Sequence, residues 1–206
     1  MSHRRRYAHR SKHRVASRNN QRGVQCKFQY TDTRNQDSVH PAPSDRIAPT
    51  ENDRRFRKQQ LRGHVHDQGA ALLGGVAGHA GVFATAEGVA QMMQVFLDGG
   101  RANGLRFASD EALKRFTACL ACDQGNRRGL GFDKRQLSGG GPACLCASPE
   151  SFGHTGFTGT FAWADPQTGI VLVFLSNRVF PDASVNKLAQ MGIRTDLQQV
   201  VYRALL

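Results

Sequence analysis

Four groups of residues in this sequence carry types and spacings that could do chemistry. His154-Thr155-Gly156 lies in SFGHTGFTGT, where strand-like residues begin. An imidazole there can carry a proton or donate a hydrogen bond near neutral pH. Ser184-Val185-Asn186-Lys187 sets a hydroxyl three residues before an amine, a spacing found in lysine-activated serine nucleophiles. Two fixed positions in four arise easily by chance, and this stretch is read as ordinary. His64-Val65-His66-Asp67 puts two imidazoles on one side of an extended segment, with His79 further on. No third ligand has a diagnostic spacing, so no metal and no cofactor is expected. Cys119-x-x-Cys122 and Cys144-x-Cys146 approach a zinc-ligand pattern, but the second pair is one residue short. They are read as small apolar fillers and loop thiols. Five cysteines, an odd number, argue against a purely intrachain disulfide scaffold.

The elements that must position these groups lie after Ile47. Residues 47–63 are polar, contain Pro49 and read as a surface loop. Residues 64–85 are crowded with glycine, which predicts tight turns rather than a long regular element. Thr85 can cap a helix whose apolar face is Val89, Met92, Met93, Phe96 and Leu97, stopped by Gly99-Gly100. Ser109 caps a second helix, faced by Leu113, Phe116 and Leu120. Residues 123–150 read as irregular. An antiparallel sheet is then led by strands at 155–164 and 170–176, separated by the turn cluster Asp165-Pro-Gln-Thr-Gly169. Ala183–Leu206 reads as a terminal helix with Leu188, Met191, Leu197, Val200, Val201 and Leu205 on its apolar side and Gly192 as its weak point.

Charge sets residues 1–46 apart. The formal charge of the 206-residue chain is +12, and residues 1–27 hold nine of its 28 lysines and arginines and no acid. With so few apolar residues, 1–46 is expected to be mostly disordered. Three readings stand for this basic segment: a nucleic-acid-binding arm acting through counterion release, a solvated tail, or a stretch outside the native reading frame. No apolar run follows it, so no export signal is read and localisation stays open. No run approaches the ~18 apolar residues a membrane helix needs.

Residues 47–206 resemble the C-terminal half of the β-lactamase-related serine hydrolases, the group of class C-like β-lactamases, penicillin-binding proteins and esterases. The stretches that carry the resemblance are VHDQGAALLGGVAGHAGVFAT, GLGFD, FGHTGFTGT and VFLSNRVFPDASVNKL. It implies an α+β fold, part of a helix–antiparallel sheet–helix sandwich. It also implies acyl transfer from a small amide or ester, such as a β-lactam or a peptidoglycan-related substrate. On this resemblance His154, Thr155 and Gly156 face substrate, the Phe157 N–H helps hold an oxyanion, and His66 and Asp67 belong to a loop beside the cleft. The family's other two motifs, Ser-x-x-Lys and Tyr-x-Asn, belong upstream of position 47 and are not found there. Little or no hydrolysis by this chain alone is therefore expected. The alternatives are a nucleic-acid-binding protein acting through residues 1–27, and a ligand-binding pseudo-enzyme.

Overall fold

The computed structural model describes residues 13–15, 24–26 and 47–206. The expectation of disorder over 1–46 thus falls almost wholly outside the described residues. Two antiparallel pairs come first, β1 (His13–Val15) with β2 (Val24–Cys26) and β3 (Pro49–Asp53) with β4 (Gln59–Arg62). Helices α1 (Gln68–Leu72) and α2 (Ala86–Leu97), the hairpin β5 (Arg101–Ala102) and β6 (Leu105–Arg106), and α3 (Asp110–Thr117) follow. The principal sheet uses β7 (Asp133–Lys134), β8 (Phe152–Thr155), β9 (Phe161–Asp165) and β10 (Ile170–Phe174). Helices α4 (Lys187–Gln190) and α5 (Ile193–Leu205) end the chain.

The sheet is antiparallel throughout, in the order β10-β9-β8-β7. Side chains alternate between its faces because the strand period is two. Phe152, Ala162, Ala164 and Val171 face α2, where they pack with Met93, Phe96, Leu97 and Phe132. Phe161 and Trp163 face the other way, their rings stacked at 5.7 Å, and pack with Ala143, Leu172 and Phe174. On that same side Tyr202 of α5 packs with Cys144, Ala147 and Ile170. The architecture is helix, antiparallel sheet, helix, as the sequence implied.

Local chemistry explains the helix boundaries. Thr85 Oγ1 accepts from the Gly88 N–H and Ser109 Oγ from the Ala112 N–H, so both expected caps form. Gly99 and Gly100 follow α2 with φ of +63° and +80°, a conformation glycine adopts without a Cβ clash.

Several expectations are corrected. Residues 47–63 are not a plain loop but the β3–β4 hairpin. Its turn is held by Asp53, which accepts from the N–H groups of Arg55, Phe56 and Arg57 and from the Arg57 guanidinium. The guanidinium holds the Asp53 carboxyl below its usual range, since the charged form is the better acceptor. The 64–85 stretch keeps to the expected turns, with the five-residue α1, capped by Asp67, as its one helix. Residues 155–164 are not one strand. Thr155 ends β8, the Gly156 N–H donates to Thr160 O at 2.8 Å to close a turn, and β9 starts at Phe161. On α3 Leu113 is buried and Phe116 exposed, whereas Leu120 lies beyond the end of the helix and is exposed.

The terminal helix divides at Gly192, whose φ is +64°. Its expected apolar side is only partly covered: Met191, Val200 and Leu205 are exposed, while Leu188, Leu197 and Val201 are half-buried. The buried residues of α5 are polar, Gln198 and Tyr202. Gln198 Oε1 accepts from the Cys144 N–H at 2.7 Å, and Tyr202 Oη donates to Asp165 at 2.8 Å. Asp165 is wholly buried and also accepts from Ser148 Oγ and N and from the Gln167 N–H. Burial opposes its ionisation, but these donors outweigh that and hold its pKa below the usual range.

Candidate active site

The β8–β9 turn is the centre of the candidate site. Strand β7 pairs only with Phe152 and Gly153, so His154 and Thr155 continue β8 beyond that partner. Their other side is fully registered on β9, His154 opposite Ala162 and Thr155 opposite Phe161. His154 is exposed; its Nδ1 lies 2.7 Å from Thr155 O and its Nε2 4.0 Å from Asp133 Oδ2. Gly156 has Thr160 Oγ1 where a Cβ would sit, so the turn admits no side chain there without moving it. Phe157 stands at the tip, 64% exposed. Among the described residues its N–H makes no intramolecular hydrogen bond.

His66 and Phe157 are 91 positions apart in the chain and meet here. Their ring centroids are 5.1 Å apart. His66 Nε2 also lies 3.4 Å from Glu51 Oε2. Arg57 fixes the backbone of this loop by donating to Val65 O and His66 O while it pairs with Glu51 and Asp53. Asp67 does not join the ring contact. It caps α1 through the Ala70 N–H and pairs with His79 Nε2 at 3.0 Å, and these two partners pull its pKa down.

Two arginines that sequence reasoning missed hold the turn. Arg194 Nη2 donates to Gly156 O at 2.9 Å, and Arg178 Nε donates to Phe157 O at 2.8 Å. The Arg178 guanidinium also lies 4.2 Å from the Phe157 ring centroid. Among the described residues neither arginine pairs with a carboxylate. Burial and the charge of Arg178 lower the pKa of Arg194. Two consecutive carbonyls, those of Gly156 and Phe157, are thus each held by a guanidinium, on either side of the Phe157 N–H. The sequence held no periodic signal for this, because Arg178 and Arg194 reach the turn only through tertiary packing.

A cleft of about 930 Å³ adjoins the site, with Thr155, Asp133, Lys134, Arg194, Cys144 and Cys146 among its lining residues. Lys134 is committed to the fold. Its Nζ donates to Thr117 O at 2.9 Å and Glu150 O at 2.5 Å, and burial together with nearby Arg127 pushes its pKa down to about 8.

The remaining candidates resolve as follows. Ser184 precedes Asn186, the N-cap of α4, so it does not share a helical turn with Lys187. Among the described residues no group of three or more His, Cys, Asp or Glu side chains is placed to hold a metal ion. The cysteines correct the sequence reading: they are not free fillers but two disulfides, Cys119–Cys122 and Cys144–Cys146. Each pair is near enough in sequence to close within its own loop. Tyr202 is buried on Asp165 and takes no part in the site.

Residues 26–193 match the sequence profile of the Beta-lactamase family, and the chain belongs to that family. It is 38% identical over 125 residues to a putative D-alanyl-D-alanine carboxypeptidase of Salmonella gallinarum, an alignment covering 60% of this chain and 28% of that protein. A protein of the same description from Salmonella agona is 37% identical over the same shares. The chain therefore spans less than a third of the length of these relatives. A beta-lactamase of Mycobacterium bovis is similar in structure, with a TM-score of 0.48 and 23% identity over 62% of this chain and 47% of that one. Among the described residues no helix is long and apolar enough to cross a membrane.

Proposed function

We propose that this chain supplies the substrate-binding strand and the oxyanion side of an acyl-transfer site, and that it does not itself carry the nucleophile. The observation that carries this reading is the Phe157 N–H in the turn after β8, which makes no hydrogen bond among the described residues and lies between two carbonyls each held by a guanidinium. A backbone N–H fixed before the reaction stabilises the developing oxyanion of an amide or ester at no reorganisation cost. His154 and Thr155 offer an open strand edge to the substrate, and the cleft beside them accepts its body. The substrate class is a small acyl compound: a β-lactam, an ester, or a peptide ending in D-alanyl-D-alanine as the description of the Salmonella relatives suggests.

Chemistry needs an activated nucleophile as well. The one Ser-x-x-Lys in the chain is Ser184 to Lys187, after His154 in sequence and off a common helical turn. Oxyanion donors and binding residues alone leave weak residual catalysis. Nothing in the family match or the relatives supports nucleic-acid binding through residues 1–27. Two measurements on the purified 206-residue chain test the proposal. A chromogenic β-lactam and a nitrophenyl ester should show no turnover above blank, and Ser184→Ala should change nothing. Turnover lost in Ser184→Ala overturns the absence of a nucleophile. Titration with benzylpenicillin or a D-alanyl-D-alanine peptide should move the Phe157 amide resonance; an unmoved Phe157 amide overturns the binding role.

A further inference from the structure

The Cys119-x-x-Cys122 loop is a small closed unit that the acyl-transfer reading leaves unused. It follows α3, and it is tied shut by Leu120 N–H to Arg128 O and Asn126 N–H to Ala121 O, both at 3.0 Å. Both cysteines are partly exposed. Arg127 reaches back over the loop, and its Nη1 lies 2.9 Å from Cys122 Sγ. The same guanidinium donates to Arg135 O at 2.9 Å and Pro149 O at 3.2 Å. It makes no salt bridge to a carboxylate among the described residues. A cation with no acidic partner therefore sits against one sulfur of a short-loop disulfide. This environment stabilises a thiolate on that sulfur and makes it the better leaving group.

We propose that Cys119–Cys122 is a reversible thiol–disulfide exchange site, with Cys122 as the leaving thiolate stabilised by Arg127, and that its substrate class is a low-molecular-weight thiol. The thiolate of that thiol attacks Cys119 Sγ. The S–S bond breaks, its electron pair leaves on Cys122 Sγ beside Arg127, and a mixed disulfide remains on Cys119. A second thiolate attacks the outer sulfur and expels Cys119 as a thiolate. Two thiols become one small disulfide, their protons pass to solvent or to the cysteines, and the protein pair gains two electrons. Cys144–Cys146 differs: Cys144 is buried, its N–H is held by Gln198, and among the described residues no lysine or arginine is hydrogen-bonded to either sulfur. This inference is independent of the acyl-transfer reading.

The test equilibrates the full chain at pH 8 in glutathione buffers of graded ratio, traps thiols by alkylation, and scores each pair by peptide mass spectrometry. Cys119–Cys122 should reduce and reoxidise reversibly. Arg127→Gln should require about tenfold more reducing buffer for that pair, or about 30 mV for a two-electron couple. Arg127→Lys keeps the charge and should recover most of the shift. Cys144–Cys146 serves as the internal reference and should not move. An unchanged midpoint in Arg127→Gln overturns the proposal, as does an equal shift of both pairs, which reports loss of fold. Irreversible behaviour of Cys119–Cys122 overturns it too.

Discussion

Tyr202→Phe tests whether α5 is held by a buried charged network rather than by its apolar residues. Asp165 is wholly buried and accepts from Ser148 Oγ at 2.6 Å, Ser148 N at 2.8 Å, Tyr202 Oη at 2.8 Å and Gln167 N at 3.0 Å. The substitution removes one of these donors and keeps the ring that packs on Cys144, Ala147 and Ile170. A hydrogen bond to a buried charge is worth about 1.5–3 kcal/mol. With a urea slope of about 2 kcal/mol/M, the unfolding midpoint should fall by about 1 M at pH 7. Trp163 is the only tryptophan, it is buried, and its fluorescence reports the transition. The pH dependence has a definite sign. The folded pKa of Asp165 is depressed, so its stabilisation is full above the unfolded value of ~3.9 and is lost as pH falls through the folded value. The gap between wild type and Tyr202→Phe should therefore narrow below about pH 4. A midpoint within about 0.25 M of wild type at pH 7, or a gap as wide near pH 2 as at pH 7, would refute the reasoning.

Three further outcomes follow from the same physics. The Lys134 pKa lies at about 8 in the fold and at ~10.4 unfolded, so between these values the unfolded state binds more protons. Wild-type stability should rise with pH across that window, and Lys134→Met should abolish the rise in urea midpoints taken at intervals through it. Thr85→Ala and Ser109→Ala should each cost about 1 kcal/mol by the same titration, since each removes the acceptor of one helix-start N–H. Gly153→Ala should be far more damaging than either cap loss, because a Cβ there would meet Ala162 O and the Trp163 ring. Its signature is a Trp163 emission shifted toward that of the unfolded chain, and native-like emission at wild-type stability would count against the packing.

Local signals carried much of the fold. Thr85 and Ser109 were readable as caps because a cap depends on a side chain and the N–H three residues on. The strand read at 170–176 is found at Ile170–Phe174, and it was readable because a continuous β-branched and aromatic run has few other solutions. His154-Thr155-Gly156-Phe157 could be singled out from its glycine setting and family resemblance. The limits of β8 could not, because Phe152 and Gly153 become strand only by pairing with both β7 and β9. Likewise the apolar residues of α5 misled, since polar Gln198 and Tyr202 find their partners on Cys144 and Asp165, far away in sequence. What the sequence alone determined were features closed within a few residues: caps, turns, the buried strand and the chemical types at the candidate site. The tertiary structure decided which of those types meet. His66 reaches Phe157, and Arg178 and Arg194 reach the turn carbonyls, only when the sheet brings distant segments together, and no spacing in the chain encodes a contact of that range.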